Sequence, residues 1–326
     1  MKPLVDRFGR RITYLRVSVT DRCNQRCNYC SRPQEEHKER SQVLTFSELT
    51  EIISVMASMG VEKIRFTGGE PLVRKGIAEL VRMVNAIEGI KETTLTTNAT
   101  LLPRFAKKLK EAGLKRVNVS LDTLDAEKFR IITGGGRLSQ VLEGIDAALS
   151  EGLVPLKVNT VVMRGINEDE LASIIDFARE RGISARFIEC MPMRDGFDWK
   201  KHYIPISEVL EREDIKERVA VEEKREEGGA EYILPLRDGS GRVGFISPLS
   251  NRFCERCNRL RLTADGRLHL CLPRDMDVSL RDAIRGGADR ESLEAIIRKA
   301  VELKPKEGEY TFSTEGRKKS MIHIGG

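Results

Sequence analysis

No run of 18 apolar residues occurs in the sequence, so nothing in it reads as a membrane-spanning helix. The first ten residues, MKPLVDRFGR, lack the apolar segment that a secretory signal needs. The expectation is a soluble, cytoplasmic protein with no membrane partner. Low-complexity linkers and internal repeats are also missing, apart from an alternation of strand-like and helical patterns. Charge of one sign is not strongly in excess: 56 basic residues stand against 50 acidic ones. That mild balance suits a polyanionic substrate, but an ordinary solvated surface gives it too. A disulfide framework is excluded as well, because seven cysteines are an odd number and the expected compartment is reducing.

The cysteines are instead grouped. Cys23, Cys27 and Cys30 form one triad, Cys254, Cys257 and Cys271 a second, and Cys190 stands alone, in an apolar strand end that suits packing. Two triads point to two metal centres. Three thiolates on a four-iron cluster leave one iron open to a ligand, whereas structural zinc ordinarily takes four protein ligands. A zinc reading needs a fourth ligand in each group, for which His37 and His269 are the candidates. With Arg252, Arg256, Arg259 and Arg261 flanking the second triad, that reading would describe a small module touching nucleic acid.

Periodicity along the 326 residues indicates the architecture. β-rich runs at Tyr14 to Thr20, Lys63 to Thr67, Glu92 to Thr97, Lys115 to Leu121, Val154 to Val162 and Ser184 to Cys190 alternate with amphipathic helical patterns. One helix starts with a capping box, Thr45 and Glu48, and ends at Gly60; another is expected to start at Asn167 with Glu170. Six strand-and-helix units predict a parallel sheet with right-handed crossovers, an α/β partial (βα)6 TIM-type barrel over residues 1–195. Residues 196–326 read as a smaller C-terminal region. There, 211–229 looks like a charged surface connection, and hairpins are expected around Asp238-Gly239-Ser240-Gly241 and around Asp265-Gly266. The second hairpin would return Cys271 beside Cys254 and Cys257. Unusual residues follow the strands: the first cysteines, Gly68-Gly69-Glu70-Pro71, Thr96, Ser120 and Met191. The carboxyl ends of barrel strands build one active-site mouth.

The spacing C-x3-C-x2-C, with Tyr29 before the third cysteine, resembles the signature of the radical S-adenosylmethionine superfamily. The segments F-G-R-x4-L-R-V-S-V-T-D-R-C-N and C-x2-C-N-R-L-R-L-T-A-D-G-R-L-H-L-C and the terminal Gly325-Gly326 narrow the resemblance to the molybdenum-cofactor GTP cyclase family. It covers essentially the whole chain. One departure is Ser31-Arg32-Pro33, where that family often has a methionine before the proline.

The resemblance implies two [4Fe-4S] clusters, held by Cys23, Cys27 and Cys30 and by Cys254, Cys257 and Cys271. It implies S-adenosyl-L-methionine as cofactor, met by Tyr29, Gly68, Gly69, Glu70, Ser120 and Met191. It implies GTP as substrate, held by Arg16, Arg65, Thr96, Lys157, Arg259 and Arg261, with Arg16 and the inserted tail Gly325-Gly326 taking part in catalysis. The implied reaction is a radical cyclisation of GTP, the first step of molybdenum cofactor biosynthesis. Implied partners are a flavodoxin- or ferredoxin-type reductant, the downstream cyclic pyranopterin monophosphate synthase and a second subunit in a homodimer, with no nucleic acid. A peptide-modifying or sulfatase-maturing radical enzyme is the alternative that shares the first triad; it would be expected to lack the arginine pair and the Gly-Gly tail.

Overall fold

The computed structural model describes residues 2–30, 37–222, 226–228, 230–308, 310 and 321–325. Six parallel strands run in sequence order: β1 (Tyr14–Ser18), β2 (Lys63–Thr67), β3 (Glu92–Thr97), β4 (Arg116–Ser120), β5 (Leu156–Val162) and β6 (Ser184–Glu189). Between them lie α1 (Phe46–Ser58), α2 (Ile77–Asn85), α3 (Leu102–Glu111), the pair α4 (Ala126–Ile132) and α5 (Leu138–Ser150), and α6 (Leu171–Glu180). The expected partial barrel is therefore present.

Alternation along these strands separates two unlike faces. Leu15, Val17, Ile64, Phe66, Leu95, Val117, Val119, Val158 and Phe187 are buried and pack with helix residues such as Ile52, Ile53, Leu80, Leu109, Ile145 and Ile174. Each such side chain contributes roughly 1.5–3 kcal/mol by leaving water. The opposite face carries Tyr14, Arg16, Lys63, Arg65, Thr94, Thr96, Arg116, Asn118, Lys157, Asn159 and Arg186, linked by the parallel registers. The outer layer thus holds the fold together, and the lumen is left polar.

The C-terminal half extends this same sheet. After α7 (Trp199–His202), α8 (Ile206–Glu211) and α9 (Glu213–Lys216) come β7 (Glu226–Gly228), β8 (Glu231–Pro235), β9 (Arg242–Ile246), β10 (Arg259–Leu262), β11 (Arg267–His269) and β12 (Asp277–Ser279). Both expected hairpins form, β8–β9 and β10–β11, and each is antiparallel. Their inner strands then pair parallel with the barrel: β9 lies beside β6 and β10 beside β1. The order is β12-β11-β10-β1-β2-β3-β4-β5-β6-β9-β8-β7. Eight consecutive parallel strands result, and no pairing among the described residues joins the two ends. The helices α10 (Leu280–Arg285) and α11 (Arg290–Glu302) cover β11 and α1, and α12 (Met321–Ile324) precedes the terminal glycines.

Two local expectations change. Asn167 occupies the cap position of a 3-10 turn that leads into α6, but its side chain does not cap it: the residue is fully buried, its amide donates to Asp122 O and Val161 O, and its oxygen accepts from Met163 N. A short 3-10 turn, Glu168–Glu170, follows it, and Glu170 instead accepts from Thr123 and Leu124. The start of the 211–229 stretch is also no mere surface connection, because Ile215 and Val219 are buried in the core between charged neighbours.

Candidate active site

The first triad lies on the loop after β1, where Cys23, Cys27 and Cys30 are partly exposed. Two glycines explain how this loop is held. A Cβ on Gly68 would stand 2.4 Å from Thr20 O, and one on Gly69 would stand 2.4 Å from Arg22 O. Gly69 N and Glu70 N donate to those same carbonyls at 2.8 Å. The Gly-Gly step thus fastens the end of β2 to the cysteine loop at a distance only glycine permits. Glu70, 1% exposed, accepts from Leu72 N at 3.0 Å, Asn98 N at 2.7 Å and the Thr97 hydroxyl at 2.7 Å, and burial pushes its carboxyl up to about 7.

Burial raises the Cys23 thiol to about 11. Burial also raises Cys27 well above the ordinary range, reinforced by Cys30, Asp122 and Cys23. A Cys27 thiol kept from ionising by burial and by the neighbouring Cys30 and Cys23 fits a cationic iron–sulfur core, which offsets the cost of gathering thiolates there. Tyr29 donates to Asp122 Oδ2 at 2.6 Å, and Asp122 Oδ1 accepts from Val161 N at 2.9 Å. Ser120 ends β4 opposite Asn159, and Met191 Sδ accepts from the Tyr310 hydroxyl at 3.4 Å. Cys190 is buried against Ile132, Met163 and Trp199, which is a packing role.

The second triad is brought together by the β10–β11 hairpin. Burial, then Lys304, Cys257 and Cys254, set the thiol of Cys271, which stands at about 11. Burial would also raise Cys257, but Lys304, then Arg259 and Arg10, overrule it and hold that thiol below its ordinary value. Lys304 is itself buried and donates to Arg259 O at 3.0 Å and Leu270 O at 2.6 Å. Arg10 donates to Cys254 O, Lys306 O and Pro305 O, tying the chain's start to this centre. Three thiolates beside fixed cations again fit an anionic-ligated cluster.

The zinc candidates take other partners. His37 lies 3.8 Å from Asp21, and His269, 1% exposed, lies 4.0 Å from Asp277 and lines a cavity with the second triad. Among the described residues no three His, Cys, Asp or Glu side chains gather to hold a single metal ion.

Between the triads the lumen carries rows of arginine. Register sets Arg261, Arg16 and Arg65 side by side on β10, β1 and β2, and sets Arg259 beside Tyr14 and Lys63 one step below. Neighbouring strands are about 5 Å apart. Like charges at that spacing repel by about 3 kcal/mol per pair at an effective dielectric of about 20. Burial, then Arg261, accordingly holds Arg16 well below its ordinary pKa, with Arg65 and Arg259 adding to the effect. Arg65 donates to Tyr14 at 2.5 Å and to Thr96 at 3.3 Å. Lys157 pairs with Glu231 at 2.8 Å, and Arg186 pairs with the same carboxylate. Arg261 donates to Gly325 O, and a Cβ on Gly325 would stand 2.8 Å from the Thr67 hydroxyl and 3.3 Å from Ser18. The tail therefore reaches the carboxyl ends of β1 and β2. Gly326 lies outside the described residues, as do Ser31, Arg32 and Pro33.

Comparison with known proteins decides the family. The Radical SAM superfamily model matches residues 17–178, and the Molybdenum Cofactor Synthesis C model matches residues 183–310. A GTP 3′,8-cyclase of Alkaliphilus oremlandii is 43% identical over 98% of this chain and 99% of its own length. One of Peptoclostridium acidaminophilum is 46% identical over 99% of this chain and 98% of its own.

The chain belongs to the GTP 3′,8-cyclase family.

More distant structures share the fold. Streptococcus suis SuiB bound to its precursor peptide SuiA has a TM-score of 0.64 at 16% identity, over 93% of this chain and 74% of its own. The protein anSMEcpe with bound AdoMet has a TM-score of 0.57 at 15% identity, over 90% of this chain and 81% of its own. The family's pattern in the sequence points to the cysteines and, singly, to Arg16, Arg65, Arg259 and Arg261, but not to their rows nor to Tyr14, Arg186, Glu231, Lys304 or Arg10. Glu231 reaches the lumen from a hairpin 74 residues after Lys157, and no local pattern marks such a partner.

Proposed function

We propose that this chain converts GTP to (8S)-3′,8-cyclo-7,8-dihydroguanosine 5′-triphosphate, the first step of molybdenum cofactor biosynthesis. The near-full-length likeness to curated cyclases carries this reading. The arginine rows between two cysteine triads agree with it. In the reaction, hydrogen leaves C3′, C3′ bonds to C8 of guanine, and one electron and one proton complete the product.

Cys23, Cys27 and Cys30 hold one [4Fe-4S] cluster, and Cys254, Cys257 and Cys271 hold the other. When bound, the first cluster with S-adenosylmethionine would supply radical chemistry at the sugar, and the second, held by Cys254, Cys257 and Cys271, would supply a contact for the guanine base. The chain's own work is placement. Arg16, Arg65, Arg259 and Arg261, with Thr96 and Lys157, grip the triphosphate; the planar guanidinium fork stays charged and donates paired bonds to phosphate oxygens. Repulsion within the rows is relieved when the polyanion arrives, so the lumen favours the most highly charged nucleotide. Tyr29, Gly68, Gly69, Glu70, Ser120 and Met191 surround S-adenosylmethionine. The tail Gly325-Gly326 and Arg16 close the site around the cyclising sugar.

The proposal extends to a flavodoxin- or ferredoxin-type electron donor, to a cyclic pyranopterin monophosphate synthase that consumes the product, and to a homodimer. The test is an anaerobic reaction of the reduced, cluster-loaded protein with S-adenosylmethionine and GTP deuterated at C3′. Deuterium is expected in the 5′-deoxyadenosine. Deoxyadenosine that stays unlabelled and forms equally without GTP would retain the radical enzyme and reject this substrate.

A further inference from the structure

One lumen residue is surrounded by cations without being one. Tyr14 sits on β1 two residues before Arg16 and is 7% exposed, and its phenol oxygen accepts from Arg65 Nε at 2.5 Å. The Arg259 guanidinium lies 5.4 Å from the centre of its ring, Lys63 Nζ 5.4 Å and the Arg65 guanidinium 6.0 Å. Every strand packed against it contributes positive charge: Arg16 on β1, Lys63 and Arg65 on β2, and Arg259 on β10. Arg261 on β10 and Arg186 on β6 also feel it. The carboxylates of the lumen are already paired: Glu92 with Lys63 at 2.8 Å and with Arg116, and Glu231 with Lys157 and Arg186.

A neutral phenol does nothing to relieve repulsion among these cations, whereas a phenolate places a negative charge among them. Burial pushes the phenol up, but Arg65, then Arg16 and Arg259, overrule it and hold Tyr14 at about 7. A triphosphate brings the same kind of charge to the same guanidinium groups, in excess. Once phosphate oxygens take Arg65 and Arg259, the field that ionised the phenol is gone and like charges stand beside it.

We propose that Tyr14 is the resident counter-ion of the arginine rows, aiming Arg65 in the empty lumen and yielding it to the triphosphate by taking up a proton. The inference rests on reading the lumen as the GTP site, and it adds a positioning residue that couples substrate binding to pH. Free protein has the ionised phenol and bound protein the neutral one, so raising the pH favours the free form. The window runs from about 7, the value in the empty lumen, to the ordinary tyrosine value of about 10.

The test is anaerobic calorimetry of GTP binding to the cluster-loaded enzyme without S-adenosylmethionine, at pH 8, in two buffers of different ionisation heat. Wild type is expected to take up close to one proton per GTP, and Tyr14→Phe to take up about one fewer. The wild-type Kd should rise roughly eightfold from pH 7.5 to 8.5 while that of Tyr14→Phe changes little. A merely structural phenol would move neither the proton count nor the pH slope. GTP binding with equal proton uptake in both proteins, or with a flat wild-type pH profile, overturns the inference alone. The wild-type profile does not depend on how well the variant folds. Absence of GTP binding to the wild type overturns both the inference and the function beneath it.

Discussion

Glu70 shows how a residue in a recognisable motif can be held by bonds that the motif does not announce. The resemblance implies that it meets S-adenosylmethionine, and its surroundings in the fold are three protein donors, with 1% of the residue exposed. Burial dominates those donors and raises the carboxyl from 4.5 to about 7. A raised carboxyl binds its proton more tightly when folded. Its contribution to stability is complete below about pH 4.5 and is lost as pH rises through about 7. Glu70→Gln should flatten the difference in stability between pH 5.5 and pH 8 by about 2 kcal/mol relative to wild type. Paired thermal melts of the two proteins would read it; parallel pH profiles would show that the carboxyl is not titrating in that window. At this scale the grouping of six cysteines into two triads was legible, because cysteines gathered at such spacings have few other uses. Tyr14, Arg186 and Glu231 were not, since their meaning comes only from neighbours on other strands.

Among elements, the strands were the legible part. β2 and β3 lie where the period-2 pattern put them, at Lys63–Thr67 and Glu92–Thr97, and α1 starts at the Thr45 capping box. The edges of the sheet were not legible. A four-residue strand such as Arg259–Leu262 alternates equally well in a free hairpin and beside β1, and only the assembled barrel selects the second. Asn167 misled for a related reason: its side chain is as able to bridge two loops as to cap a helix. The step from β2 into the cysteine loop yields a sharper prediction. In Gly69→Ala the new methyl would meet Arg22 O at 2.4 Å and Asp21 O at 3.0 Å, both backbone atoms of the loop that presents the first triad. Neither carbonyl can swing aside as a flexible side chain would, so the loop must move. The second triad flanks the β10–β11 hairpin, outside that contact. Gly69→Ala is expected to retain roughly half the wild-type iron after reconstitution, one cluster of two. Full iron and sulfide content, with unchanged S-adenosylmethionine cleavage, would show that the loop tolerates the methyl.

At the scale of the whole molecule, both ends of the chain converge on the second centre. Arg10 grips Cys254 O, Pro305 O and Lys306 O near the start, and Arg261 holds Gly325 O near the end. Arg261, in register with Arg16 and Arg65, therefore positions the tail beside the residues proposed to grip the triphosphate. Gly325, with its positive φ of 78°, turns the chain against Ser18 and Thr67, at the mouth shared with the first triad's loop. Loss of the two terminal glycines removes no cysteine and none of the Arg10 contacts, so both clusters and S-adenosylmethionine cleavage should survive. What it removes is the Gly325 backbone packed against Ser18 and Thr67, where the proposed function puts the cyclising sugar, and misplacement by about 1 Å can cost a hundredfold in rate. The truncated protein is expected to form 5′-deoxyadenosine while making at least about tenfold less cyclised nucleotide, an uncoupling visible in one anaerobic assay that quantifies both products. Cyclised product at the wild-type rate, with iron content intact, would mean that the tail rests at the mouth without shaping the reaction. A parallel fall in both products would instead place its role in holding S-adenosylmethionine.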